Sequence, residues 1–314
     1  QLYNPRKRNW SDKLLEAFDW PRAKFPELIP SGTRLGTLKP ELAAASGLGE
    51  IEVLATCSHD TGAAVAAVPA DGDQWAYLSS GTWSLIGVEL PEPIINDAAR
   101  DLNFTNEIGH GNTVRLLRNI IGLWLVQECR REWAEAGEDY DYATLAQLAA
   151  DAKPFAALID PSDERFFKPE SMTNAITDFC RETGQNAPTS PGAFVRCAIE
   201  SLALLYRQRL DEVSVLSGRT IRQLHIVGGG SRNALLNQFT ANACEVEVIA
   251  GPAEATALGN VLLQSLTLGH LPDLATARQC VRDSMDVETF QPADAREWQQ
   301  ASVRFKAIQA QRDK

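Results

Sequence analysis

Apolar residues follow different periods along this chain, and the first change falls near residue 51. Before it, only SDKLLEAFDW (11–20) carries a helical stripe, with Leu14, Leu15 and Phe18 on one face behind the cap residue Ser11. Pro5, Pro21, Pro26, Pro30 and Pro40 interrupt the rest, so the stretch from Pro21 to Gly49 reads as a connection. From Ile51 the segments IEVLATCS, TGAAVAAVPA and DQWAYLSSGTWSLIGVEL read as successive antiparallel strands, punctuated by DGD and SSG. VRLLRNIIGLWLVQECRREW (114–133) is apolar nearly all round, and its length favours a buried helix. On such a helix Asn119 and Gln127, eight positions apart, would lie about 80° apart around the axis.

The second half alternates. Residues 143–151 and 169–184 read as short helices, and Ser190-Pro191 opens a long one that runs to Gly218, with the cap, the first-turn proline and the terminal glycine all in place. IRQLHIV, a strand, leads through GGGSRN into the helix ALLNQFTANAC; VEVIA, another strand, leads through GPAE into ATALGNVLLQSLTLG. Strand, glycine turn and helix in this order, twice over, predict an α/β protein with parallel members in its sheet.

Composition narrows the class. The chain has 314 residues, enough for about two domains at roughly 150 residues each. With 44% hydrophobic and 23% charged residues it is of the globular type, and a net charge of −11 disfavours nucleic acid and anionic membrane surfaces as partners. No apolar run approaches the roughly 18 residues of a membrane span, and QLYNPRKRNW lacks the layout of a signal peptide, so the expected location is cytoplasmic. The first residue is Gln1, which suggests the downstream piece of a longer polypeptide. The six cysteines form no CxxC pair; Cys180 and Cys197 bracket a connection short enough to bring them together, but cytosolic chemistry argues against a lasting disulfide.

Several short features can carry chemistry, each with an ordinary structural alternative. The glycines Gly228, Gly229 and Gly230 stand between a strand and a helix, where backbone can approach a ligand closely and free N–H groups attract anions; they also suit a plain tight turn. Thr82 sits in SSGTWS, a hairpin tip able to offer N–H and hydroxyl groups to phosphate, or a simple Ser-Gly turn. His59-Asp60-Thr61 ends an apolar strand, where Asp60 is placed to accept a proton from an attacking hydroxyl, or to cap a turn. Asn119 and Gln127 need hydrogen-bond partners if buried, from a nucleotide or from neighbouring loops. The glycines spell neither GxGxxG nor GxxxxGK[ST], no HExxH or GxSxG occurs, and no histidine pair has metal-ligand spacing; no metal ligand is assigned.

The order of these features is more specific than any one of them. SHDT (58–61), YLSSGTWSLIG (77–87), NIIGLWLVQE (119–128), HIVGGGSRNALLNQ (225–238) and GPAEATALGN (251–260) together closely resemble the carboxy-terminal half of the FGGY carbohydrate kinases. The resemblance implies an actin-like ATPase (ribonuclease H-like) fold, with this chain as the C-terminal lobe of a two-lobe sugar kinase. Residues 1–50 would be the end of the N-terminal sugar-binding lobe and a connector, 51–290 the nucleotide-binding lobe, and 291–314 a C-terminal helix. It implies Asp60 as catalytic base, with His59, Asp60 and Thr61 contacting the sugar. Thr82, Asn119, Gln127, Gly228, Gly229 and Gly230 would bind ATP, the three glycines as the loop at the adenosine, with Ala255 to Gly259 in the segment behind it. The reaction implied is transfer of the γ-phosphoryl group of ATP, with Mg2+, to a primary hydroxyl of a ketose. L-rhamnulose is the acceptor it suggests first, and a xylulose-, fuculose- or glycerol-like acceptor the near alternative. The family's amino-terminal DxG[ST] loop is not among these residues. The competing classes are a noncatalytic actin-like nucleotide-binding module and, less well matched for want of the dinucleotide fingerprint, an oxidoreductase.

Overall fold

The structure, a computed structural model, describes residues 2–312. The first fifty residues hold more regular structure than their prolines suggest. Strands β1 (Tyr3–Asn4) and β2 (Asn9–Trp10) pair antiparallel, helix α1 (Asp12–Ala17) follows Ser11, and strand β3 (Arg34–Thr37) and helix α2 (Pro40–Ser46) lead to strand β4 (Glu52–Leu54), which pairs with β3. TGAAVAAVPA is not a strand: Asp60–Ala66 form helix α3. Alanine is the best helix former, and a run of small residues lets a helix be buried nearly all round without the β-branched bulk that favours strands.

The hairpin was legible, as strands β5 (Trp75–Ser80) and β6 (Trp83–Leu90). Helix α4 (Asp97–Asp101) and strand β7 (Thr105–Ile108) come next. The apolar segment read as one helix is a strand and a helix, β8 (Val114–Ile121) and α5 (Trp124–Glu135). In VRLLRNII the polar residues Arg115, Arg118 and Asn119 fall three and four positions apart, the helical spacing, so periodicity points to a helix where the chain forms a strand. The chain breaks at Gly122, where the N–H groups of Gly122 and Trp124 donate to the Thr82 carbonyl and that of Leu123 to the Gly81 carbonyl.

From there the expected pattern is found: helices α6 (Tyr142–Asp151), α7 (Met172–Glu182) and α8 (Pro191–Ser217), strand β9 (Gln223–Val227), helix α9 (Ala234–Cys244), strand β10 (Glu247–Ala250) and helix α10 (Ala255–Thr267). Ser190 accepts a hydrogen bond from the Ala193 N–H and Gly218 closes α8 in the left-handed region. Helix α11 (Leu274–Ser284), strand β11 (Glu288–Phe290) and helix α12 (Ala295–Arg312) complete the described chain; residues 313–314 of the expected C-terminal helix lie outside it. Seven strands form one sheet in the order β11-β10-β9-β5-β6-β8-β7, in which β9 runs parallel to both β10 and β5. No helix among the described residues is long and apolar enough to cross a membrane.

The chain condenses into two compact units that alternate along it. The first comprises residues 1–71, 88–117 and 254–285. In it α3 packs on α10 so closely that a β-carbon on Gly259 would fall 1.8 Å from the Ala63 carbonyl oxygen. Only glycine permits that crossing, and it sets the direction of α3. The unit is tied across long stretches of chain by Arg278, which donates to the Glu89 carboxylate at 2.8 Å and the Val65 carbonyl at 3.1 Å, and by Arg282, which donates to the Ala70 carbonyl at 2.8 Å.

The second unit comprises residues 72–87, 118–253 and 286–314 and is built around α8, against which α5, α6, α9 and α12 pack. Cys180 and Cys197 are buried free thiols within hydrogen-bond reach of each other; all six cysteines are free. Glu200 on α8 is 1% exposed. Its carboxylate accepts from Arg196 at 2.7 Å and from the Phe155 N–H at 2.9 Å. Burial outweighs both partners and pushes the Glu200 carboxyl from its ordinary 4.5 up to about 7. Between those values the folded protein holds a proton that the unfolded chain has released, so this contribution to stability is full below about 4.5 and is lost as pH rises through 7. Between pH 5 and pH 8 the native chain should therefore lose about 2 kcal/mol more stability than Glu200→Gln, as read from urea unfolding. Parallel pH profiles for the two proteins would exclude Glu200 as the cause.

Candidate functional site

In the first unit, β4 ends and the chain turns through Ser58 into α3, making His59 the residue before the helix and Asp60 its first residue. Asp60 is thus not at a strand end but in the first turn of a helix, where unpaired N–H groups favour a carboxylate. Its side chain is 73% exposed, while Thr61 is buried in α3. The His59 Nε2 atom lies 3.6 Å from Asp60 Oδ1, and its Nδ1 atom is 2.6 Å from Glu107 Oε2. Arg115, 1% exposed, donates from Nη2 to the same Glu107 oxygen at 2.9 Å. This follows from register, since Glu107 on β7 faces Arg115 on β8 across an antiparallel pair. His59, Glu107 and Arg115 line a pocket of about 550 Å3, bounded also by Tyr3, Arg8 and Trp10 from the start of the chain.

Glu107 and Arg115 are not in the sequence-derived set of site residues. Taking 114–133 as a helix hid the hairpin that pairs them; the signal available was GHGN between two runs of mixed apolar residues, a turn composition with a Glu before it and an Arg after it.

In the second unit the parallel register of β5 and β9 places Ser79 opposite Val227, so the glycines that follow β9 meet the end of β5. A β-carbon on Gly228, whose φ is +85°, would fall 2.8 Å from the Ser80 carbonyl oxygen, and one on Gly230 would fall 2.0 Å from Ser80 Oγ. Gly229 faces open space and is exposed. The loop is held from behind: Ser231 Oγ donates to the Gly228 carbonyl at 2.8 Å, and the fully buried Asn237 donates from Nδ2 to the Ser231 carbonyl at 2.7 Å. Asn233 then caps α9 by accepting from the Leu236 N–H.

Thr82, at the tip between β5 and β6, is exposed, and its carbonyl receives the two N–H groups that end β8 and begin α5. The second unit thus gathers the hairpin tip, the glycine loop and the start of α5, which carries the half-buried Gln127 in its first turn. Asn119 and Gln127 do not share a helix face. Asn119 is an exposed residue of β8, and Gln127 belongs to the helix beyond the Gly122 break. The exposed Gly229 and the exposed Thr82 bring backbone and a hydroxyl to the surface, groups of a kind that suits phosphate oxygens. Among the described residues, no three or more His, Cys, Asp or Glu side chains are grouped to hold a metal ion.

The model of the FGGY family of carbohydrate kinases, C-terminal domain, matches residues 76–268, and that of the family's N-terminal domain matches residues 1–67. The chain belongs to this family of sugar kinases, which has the actin-like ATPase fold. Among its relatives, the rhamnulokinase of Bacteroides thetaiotaomicron is 47% identical over 306 residues, covering 98% of this chain and 62% of that protein. The rhamnulokinase of Bacillus subtilis is 42% identical over 294 residues, covering 94% of this chain and 60% of that one. The chain therefore spans about three fifths of the length of these relatives. Among solved structures, a ligand-bound xylulose kinase from Lactobacillus acidophilus superposes with a TM-score of 0.75 at 14% identity, covering 98% of this chain and 62% of that one. Plasmodium falciparum glycerol kinase with ADP gives a TM-score of 0.72 at 16% identity, covering 98% and 61%.

Proposed function

We propose that the complete protein transfers the γ-phosphoryl group of ATP to a primary hydroxyl of L-rhamnulose, giving L-rhamnulose 1-phosphate in the catabolism of L-rhamnose. The observation that carries the nucleotide half of this reading is the packing of Gly228 and Gly230 on Ser80, which leaves Gly229 and the hairpin tip facing outward. The acceptor is supported by relatives that bear the name rhamnulokinase at 39–47% identity. Asp60 accepts the proton of the acceptor hydroxyl as its oxygen bonds to the γ-phosphorus; the bond from that phosphorus to the bridging oxygen breaks, and ADP departs with the electron pair. Thr82 and N–H groups near it hold phosphate oxygens, and the glycine loop 228–230, Asn119 and Gln127 make the further nucleotide contacts, the loop on the adenosine side. When bound with the nucleotide, Mg2+ would be held mainly by phosphate and water oxygens and would supply neutralisation of charge on the transferring group.

The test is an ADP-release assay of the complete protein with L-rhamnulose, D-xylulose, L-fuculose and glycerol. L-rhamnulose should exceed each alternative in kcat/KM by roughly tenfold or more. A higher value for another acceptor would reassign the substrate. ATP binding with no acceptor-dependent ADP release would favour a noncatalytic nucleotide-binding module.

A further inference from the structure

We propose that Glu107 is a positioning residue that fixes the tautomer of His59, so that His59 Nε2 presents a lone pair, beside Asp60, to a second hydroxyl of the acceptor. The proposal rests on the kinase reading of the His59-Asp60 segment and deepens it.

A carboxylate only accepts hydrogen bonds, so at 2.6 Å the His59 Nδ1 atom carries the proton and Glu107 Oε2 receives it. Glu107 is kept available for this by Arg115, whose Nη2 donates to the same oxygen at 2.9 Å from a nearly inaccessible position. In a neutral ring the proton on Nδ1 leaves Nε2 only a lone pair to offer, and that neutral form is what the proposal requires and its test reads. Nε2 stands 3.6 Å from Asp60 Oδ1, too long for a direct hydrogen bond. Two acceptors side by side match neighbouring hydroxyls of a polyol, one losing its proton to Asp60 and the other donating to Nε2. An amide, thiol or carboxylate in the second position would fit less well, since it offers a weaker donor or none.

The measurement is the 15N signature of the His59 ring in the intact protein, assigned by its loss in His59→Gln, together with acceptor and ATP KM values for Glu107 variants. The proposal expects a neutral Nδ1–H ring in the unmodified protein. In Glu107→Met, the Nε2–H form should gain population and the acceptor KM should rise about tenfold, with the KM for ATP unchanged. Glu107→Gln, whose amide oxygen can still accept from Nδ1, should recover most of that loss. In a His59→Gln background, Glu107→Met should add nothing further to the acceptor KM. An imidazolium or an Nε2–H ring in the unmodified protein overturns the proposal even if Glu107→Met does not fold, and so does an undiminished effect of Glu107→Met without His59. Failure of the kinase reading is separate and would appear as no turnover of any ketose, while the ring signature still decides the role of Glu107.

Discussion

Asp60→Asn should lower kcat by about 10²- to 10⁴-fold, the usual worth of a positioned general base, with the KM for ATP near its original value. The substitution preserves shape and removes only the ability to take the proton. Asp60 lies in the first turn of α3 with a largely exposed side chain, so the lost helix-end interaction should cost no more than about 1 kcal/mol. A thermal melt that stays near that of the parent, together with a collapsed kcat, would separate chemistry from folding. Unchanged turnover with L-rhamnulose would remove Asp60 from the base role.

The second large effect is expected at the glycine loop. In Gly230→Val even the first added carbon falls 2.0 Å from Ser80 Oγ and 2.5 Å from Ser80 Cβ, so the loop must leave the end of β5. Overpacking of this kind costs about 1–3 kcal/mol, and the displaced N–H groups should weaken ATP binding by roughly tenfold or more in titration calorimetry. Gly229→Ala, whose new methyl meets open space, should leave the unfolding midpoint unchanged. Equal ATP affinity in Gly230→Val and the parent would move the nucleotide away from this loop.

The parts of the fold that were legible are those where chain chemistry forces one outcome. Ser190-Pro191 and Gly218 bracket α8 because cap, fixed φ and left-handed glycine act locally, and the two strand-glycine-helix passages were read for the same reason. Residues 114–121 read as helix because Arg115, Arg118 and Asn119 happen to fall at helical spacing, and residues 61–70 read as strand because small apolar residues suit a tightly packed helix as well as a strand. Candidate site residues in adjoining positions, His59 with Asp60 and the three glycines, are suggested by order along the chain. Glu107 was not, since its link to His59 spans 48 residues and exists only once β7 and β8 pair.

The ties made by Arg278 and Arg282 have a bearing on synthesis. The Arg278–Glu89 contact closes a separation of 189 residues, and that between Arg282 and Ala70 closes 212. The compact unit carrying His59 and Asp60 therefore cannot be completed as its early segments leave the ribosome; it must wait until α10 and α11 emerge, while α5 to α9 of its neighbour are already made. During that interval the apolar face of α3 awaits its partner, and nascent chains stalled before residue 254 would be a natural target for chaperones.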